Sequence, residues 1–97
     1  MNKYESIMIL VPEIEEKRKE EIFERIRKVI MEYSTEDEEI KIEELGMKKL
    51  AYEIKKNNEG YYVVFNFSCK PECIKELERN YRIIDEVMKF LTIRKED

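Results

Sequence analysis

Three groups of side chains in this sequence carry chemistry. The first lies in GMKKLAYEIKKNNEGYYVVFNF, residues 46 to 67, where Lys48, Lys49, Lys55 and Lys56 alternate with aromatic residues. Ammonium groups meet phosphates and aromatic rings stack on bases or pack on protein, so the stretch suits binding rather than bond breaking. The second is Cys69 and Cys73, around SCKPEC. With no histidine in the chain a zinc site there would lack two ligands, and the pair is too close and too few for a secreted disulfide framework. Both are read as buried thiols acting as small hydrophobes, with no metal or redox role. The third is the carboxylate series Glu15, Glu16, Glu20, Glu21 and Glu24, whose spacing is that of a solvated helix face. Without histidine, with 2 glycines and no glycine-rich phosphate loop, and with no nucleophile beside a base, neither enzymatic activity nor a cofactor is expected.

Charge is unevenly spread. The net charge is −4, yet residues 1 to 44 hold 8 basic and 14 acidic side chains, against 11 and 9 in the remainder. Acid gathers in the first helical segment and in TEDEE, which leaves Lys48 with Lys49, Lys55 with Lys56, and Arg94 with Lys95 free to meet phosphates locally. On composition alone the plainer reading is that lysine pairs solvate an edge strand.

These groups need elements to position them. KYESIMILV, residues 3 to 11, reads as a strand closed by Pro12. Ile22, Phe23, Ile26, Val29, Ile30 and Tyr33 recur at helical spacing and predict a helix over roughly 14 to 33. Residues 34 to 38 form a polar connection. A long hairpin is predicted over 40 to 67, bent at Gly46 by a bulge and turning at KKNNEG, where Asn57, Asn58 and Gly60 tolerate positive φ. Pro71 suits a helix start, and Ile74, Leu77 and Tyr81 place a second helix over 71 to 80. EVMKFLTIR is a last strand, and 95 to 97 are expected to fray. The expected fold class is α+β: a ferredoxin-like β-α-β-β-α-β chain, with a four-stranded antiparallel sheet under two helices and a single domain over 1 to 97. At 97 residues there is room for one core. No apolar run approaches the ~20 residues of a membrane span and the start lacks a signal peptide, so a cytoplasmic protein is expected.

A sheet covered on one side should alternate apolar inward and polar outward. The first strand does not, because Ile7, Met8, Ile9, Leu10 and Val11 are all apolar. The third repeats the anomaly, with Tyr61, Val63, Phe65 and Phe67 in one phase and Tyr62 and Val64 in the other. The inward phases are assigned to Met8 and Leu10 and to Tyr61, Val63, Phe65 and Phe67. Ser6 is the weak member of that set. Ile7, Ile9, Tyr62 and Val64 then form an outward patch fit for a partner protein.

Two known groups share this order of elements. Acylphosphatases cradle phosphate between the first strand and helix, where this chain has the acidic VPEIEE. An RNA-recognition motif stacks bases on strands one and three, but its third-strand signature meets Glu59 and Tyr62 here instead of a basic and a small residue. A homodimeric ligand-sensing domain is a further alternative.

KYESIMILVP, EELGMKKLAYEI and EGYYVVFNF, in this order and spacing, resemble the family of the sixth protein of the bacterial small ribosomal subunit. Its members typically carry Gly-x-Arg-Arg-Leu-Ala-Tyr-Pro-Ile before a Gly-Tyr-aromatic strand. Arg82, Ile83 and Asp85 match its Arg-Ile-x-Asp turn, and the likeness spans residues 3 to 94. The resemblance implies a structural ribosomal protein that joins the eighteenth small-subunit protein and binds the central domain of small-subunit ribosomal RNA. It implies phosphate contacts at Lys3, Lys48, Lys49, Arg82, Lys89 and Arg94, and a partner-protein interface at Ile7, Ile9, Tyr62 and Val64. Two departures stand out. Lys48 and Lys49 replace an arginine pair, losing the bidentate fork. Glu53 replaces proline, from which a more regular strand is expected.

Overall fold

The apolar runs rich in β-branched and aromatic residues in KYESIMILV and YYVVFNFS produce the two strands around which the chain is built. The computed structural model describes residues 2–34 and 39–95. The elements are β1 (Asn2–Leu10), α1 (Glu16–Glu32), β2 (Lys41–Ile54), β3 (Asn57–Cys69), α2 (Glu72–Ile83) and β4 (Val87–Lys95). All strand pairs are antiparallel, in the order β2-β3-β1-β4. The order of elements agrees with the sequence, and β1 and β3 are the central strands. Helix α2 runs three residues further than expected, because the stripe that starts at Cys73 and Leu77 continues to the buried Tyr81. Lys95 is not frayed but pairs with Lys3. The expected polar connection over 34 to 38 falls, after Ser34, outside the described residues, as do positions 96 and 97.

The inward phase is the one read from the sequence. Tyr4, Met8 and Leu10 of β1 and Val63, Phe65 and Phe67 of β3 pack with Ile22, Ile26 and Ile30 of α1 and with Leu77 and Tyr81 of α2. Phe23, half-buried, meets Phe65 edge to face at 5.8 Å. Cys69 and Cys73 are free and fully buried, and Cys73 is pushed above the usual thiol range by its hydrogen bond with Cys69 and by burial. Ser6, the weak inward residue, is satisfied within the core. Its hydroxyl lies 2.7 Å from Tyr81 Oη and 2.9 Å from Thr92 Oγ1, so one polar residue ties β1 to α2 and β4 instead of leaving a group unpaired.

Helix α1 is fixed at its first turn by charge. Arg18 grips Glu86 with two hydrogen bonds, 2.8 and 3.0 Å, between α1 and the segment before β4. Lys19, buried, reaches Glu44 Oε1 at 2.8 Å and Glu16 Oε2 at 2.9 Å, and donates to Tyr61 Oη at 3.3 Å. Tyr61 in turn donates to Glu44 at 2.7 Å. This triad holds α1, β2 and β3 together beside the Gly46 bulge. The hydrogen bonds from Lys19, and then from Tyr61, hold the Glu44 carboxyl below its ordinary 4.5. The bond to Glu44 holds the Lys19 ammonium above its ordinary 10.5.

A depressed carboxyl stabilises at every pH above its unfolded value and loses that contribution as pH falls through the folded one. A raised ammonium stabilises below its unfolded value and loses that contribution only in strong alkali. The link is therefore intact across neutral pH and fails on the acid side through Glu44. Replacing Glu44 by glutamine is expected to cost about 1 kcal/mol at neutral pH, a figure kept small because the carboxylate is partly solvated. Urea unfolding at about pH 7 and about pH 3 checks this, since the cost should be smaller at the lower value.

Candidate RNA and partner interface

Because both helices cover one side of the sheet, the other side is assembled from the outward positions of all four strands. Cross-strand partners share a face, so the registers Ile7↔Val64 and Ile7↔Leu91, Ile9↔Tyr62 and Ile9↔Lys89, and Glu5↔Ile93 define it. The four residues expected there, Ile7, Ile9, Tyr62 and Val64, all point outward. Their exposure differs from the expectation. Ile9 and Val64 are each only 7% exposed, because positions on the inner strands are flanked on both sides by neighbouring side chains. The open apolar surface is instead supplied by Leu91 at 57% and Ile93 at 45%, on the edge strand β4. Sequence reading missed both because β4 mixes apolar residues into its two phases. The signal available was Thr92, whose hydroxyl pairs with inward Ser6 and so turns its neighbours outward.

The cations fall at the two ends of this face. At one end Lys3 lies directly opposite Lys95, and Lys95 is braced by Glu5 at 3.8 Å and by a short hydrogen bond to Asn66. Arg94, exposed, pairs with Tyr4 and so belongs to the other phase of β4. At the opposite end Lys48 pairs with Gly60 in the outward phase. Lys49 is next to it but pairs with Glu59, so the two lysines point to opposite sides of the sheet and do not form one site. Lys89 lies on the open face, where its amine donates to Tyr52 Oη at 2.7 Å. Arg82 stands apart near the end of α2, 3.9 Å from Glu78 and 5.8 Å from the Phe90 ring. The structure thus brings Lys48 and Lys89 to one end and Lys3 to the other, and leaves Arg82, Arg94 and Lys49 off this face.

The hairpin departs from expectation in two places. Positive φ occurs at Lys55 (49°) and Lys56 (67°), with Ile54 opposite Asn57, so a two-residue turn is made by lysines while Asn57 and Asn58 enter β3. Two-residue turns with both φ positive match strand twist, and that fit sets the register here. Gly60 is needed for space: a Cβ there would lie 2.4 Å from Ile9 Cγ2 and 3.0 Å from Met88 Cε. Glu53 does not bring the expected regularity. Between the pairs Lys49↔Glu59 and Ile54↔Asn57, residues 50 to 53 face the single residue 58, so β2 bulges outward there. The expected bulge at Gly46 is present, with φ 88° and a register shift after Glu44.

For an RNA-recognition motif the outward aromatics matter. Tyr4 is not one of them, being buried in the core and stacked on Phe67 at 5.9 Å. On β1 and β3 the outward face offers Tyr62 alone among aromatics. Among the described residues no group of three or more cysteine, aspartate or glutamate side chains is placed to hold a metal ion.

Residues 3–94 match the family described as Ribosomal protein S6. The chain is 41% identical over 97 residues to the small ribosomal subunit protein bS6 of Caldanaerobacter subterraneus subsp. tengcongensis, spanning both chains completely. Against the protein of the same description from Thermotoga maritima it is 42% identical over 94 residues, covering 97% of this chain and 73% of the other. The crystal structure of the 30S ribosomal protein S6 from Thermotoga maritima superposes with a TM-score of 0.84 at 41% identity, covering 97% of this chain and 87% of that one. A de novo designed protein also superposes, with a TM-score of 0.56 at 20% identity, which is a likeness of fold alone. Element order by itself therefore carries no function.

Proposed function

Since the chain belongs to the Ribosomal protein S6 family, a family of the small subunit of the cytoplasmic bacterial ribosome, we propose that it is a structural component which binds the central domain of small-subunit ribosomal RNA as a heterodimer with the eighteenth small-subunit protein. It performs no catalysis in this role. The observation that carries the reading is the division of the molecule into a helical side rich in glutamate and an open sheet face with an apolar centre and cationic ends. An apolar centre fits a protein partner and the cationic ends fit phosphates, so one face serves both without making the chain basic overall. The partner interface comprises Ile7, Ile9, Tyr62 and Val64 with Leu91 and Ile93 added. Lys3 and Lys48 approach phosphates from the face itself, and Arg82, Arg94 and Lys49 from its margins.

The test is binding of the assembled pair to a central-domain RNA fragment across a salt series. Each phosphate contact contributes a slope of roughly 0.7 to 0.9 in log affinity per decade of salt. Lys48→Ala is expected to flatten the slope by about that amount, and Lys49→Ala by clearly less because it points the other way. Equal effects of the two variants, or no effect of either, would count against this assignment. Recovery of a small basic ribosomal protein on the immobilised chain, with and without ribonuclease, tests the partner separately.

A further inference from the structure

The outward bulge of β2 presents a side chain to which no role has been given, and we infer that Tyr52 is a stacking platform for one unpaired base of the RNA, with Lys89 as its positioning residue. This rests on the reading of the chain as a ribosomal-RNA-binding protein. Four residues of β2 opposite one of β3 re-aim whatever side chain they carry. The result is that Tyr52 crosses to the open-face lysine of β4 while remaining 60% exposed.

The contact holds the ring by its rim. Lys89 Nζ is 2.7 Å from the hydroxyl oxygen but 5.1 Å from the ring centroid, so the amine sits beyond the hydroxyl and does not cap a face. An oriented aromatic ring with solvated π surface is what an unpaired base stacks on. The base of the bulge is also anchored. Gly60 leaves no room for a Cβ beside Ile9 and Met88, and Asn57 Nδ2 approaches Met88 Sδ at 3.5 Å, so the strand facing the bulge is closely seated on β1 and β4.

Charge selects RNA over protein as the occupant. Lys89 meets the ring, and the exposed Lys48, Lys49, Lys55 and Lys56 lie within four residues of it along the chain, against Glu53 alone in that span, in a chain whose net charge is −4. The two turn lysines occupy a left-handed backbone region that side chains rarely adopt. They keep two further ammonium groups at the tip beside the platform.

The alternative is that Tyr52 is only a strut acting through its hydroxyl. Binding of the heterodimer to the central-domain RNA fragment at fixed salt separates the two, using Tyr52→Phe, Tyr52→Trp and Tyr52→Ala. Stacking predicts that the phenylalanine and tryptophan variants stay within about twofold of wild type or bind more tightly, because the ring is kept. Tyr52→Ala should bind about 5- to 150-fold more weakly with its salt slope unchanged, since stacking releases no counterions. Wild-type affinity in Tyr52→Ala overturns the inference, as does a loss in Tyr52→Phe equal to that in Tyr52→Ala. A loss confined to the affinity for the partner protein also overturns it, in favour of a protein-docking residue. Should Tyr52→Ala not fold, the tryptophan and phenylalanine variants decide, since loss of binding in both contradicts stacking. Failure of the wild-type heterodimer to bind the fragment at all overturns the proposed function itself, which the variant series distinguishes from failure of the platform alone.

Discussion

Leu91→Asp should leave the protein folded and lower its affinity for the partner protein by about 30-fold or more. Leu91 lies on the edge strand, more than half exposed and in the outward phase, so in the isolated chain an aspartate there stays in water. A surface change of this kind ordinarily alters stability by no more than about 0.5 kcal/mol. In the complex the same carboxylate would be buried against apolar surface without a counter-charge. A penalty of even ~2 kcal/mol corresponds to the stated loss, and burial of an unpaired charge commonly costs more. Calorimetric titration with the partner protein, with a thermal melt alongside, measures both quantities. Unchanged affinity would move the interface elsewhere. Val64→Asp is a poorer probe, because Val64 is already buried in the isolated chain and its replacement would combine folding and binding effects.

Ile26→Ala is expected to produce the largest loss of stability among single truncations in α1. Ile26 is fully buried, between Ile22 and Ile30 on the stripe that faces the sheet. Removing a buried isoleucine to alanine costs about 2 to 5 kcal/mol, the transfer term plus the cavity left behind. For a chain of this size that lowers Tm by roughly 10 to 30 °C. Urea unfolding should show a reduced midpoint with an unchanged m value, because the surface exposed on unfolding is nearly the same. Partner affinity measured where the variant is folded should stay at the wild-type level, since the side chain lies beneath the sheet from the open face. A cost below ~1 kcal/mol would mean that the helix repacks over the gap.

How far the sequence revealed this arrangement depends on which force sets each feature. Period-two and helical spacing are imposed by burial, and burial made β1, α1, β3 and α2 readable together with their inward residues. Gly46 was readable because a glycine within a strand has few other uses. The turn was misplaced because Asn57 and Asn58 are the better residues for positive φ, yet strand register and the close approach at Gly60 put Lys55 and Lys56 there. A local preference of about 1 kcal/mol yields to tertiary packing. The same holds for Glu53, where loss of proline permits a regular strand without imposing one. Exposure of Ile9 and Val64 was misjudged because shielding comes from neighbouring strands, which no window of sequence contains. The opposed directions of Lys48 and Lys49, by contrast, followed from simple alternation and were open to inspection.

The strand at the start of the chain lies at the middle of the sheet, and this constrains how the molecule comes into being. β1 pairs with β3 and with β4, whose pairing residues begin at 61 and 87, and with nothing nearer in sequence. During synthesis β1 therefore has no strand to pair with until β3 has been made, and its second edge stays open until β4 arrives. Only the β2–β3 hairpin closes from local sequence, so closure of the sheet is non-local and waits on β4. A chain stopped before β4 would display Ile7, Met8, Ile9 and Leu10 along an unpaired central edge, the kind of segment that seeks other chains. For this protein, burial of its stickiest strand waits on the arrival of a partner strand almost eighty residues away.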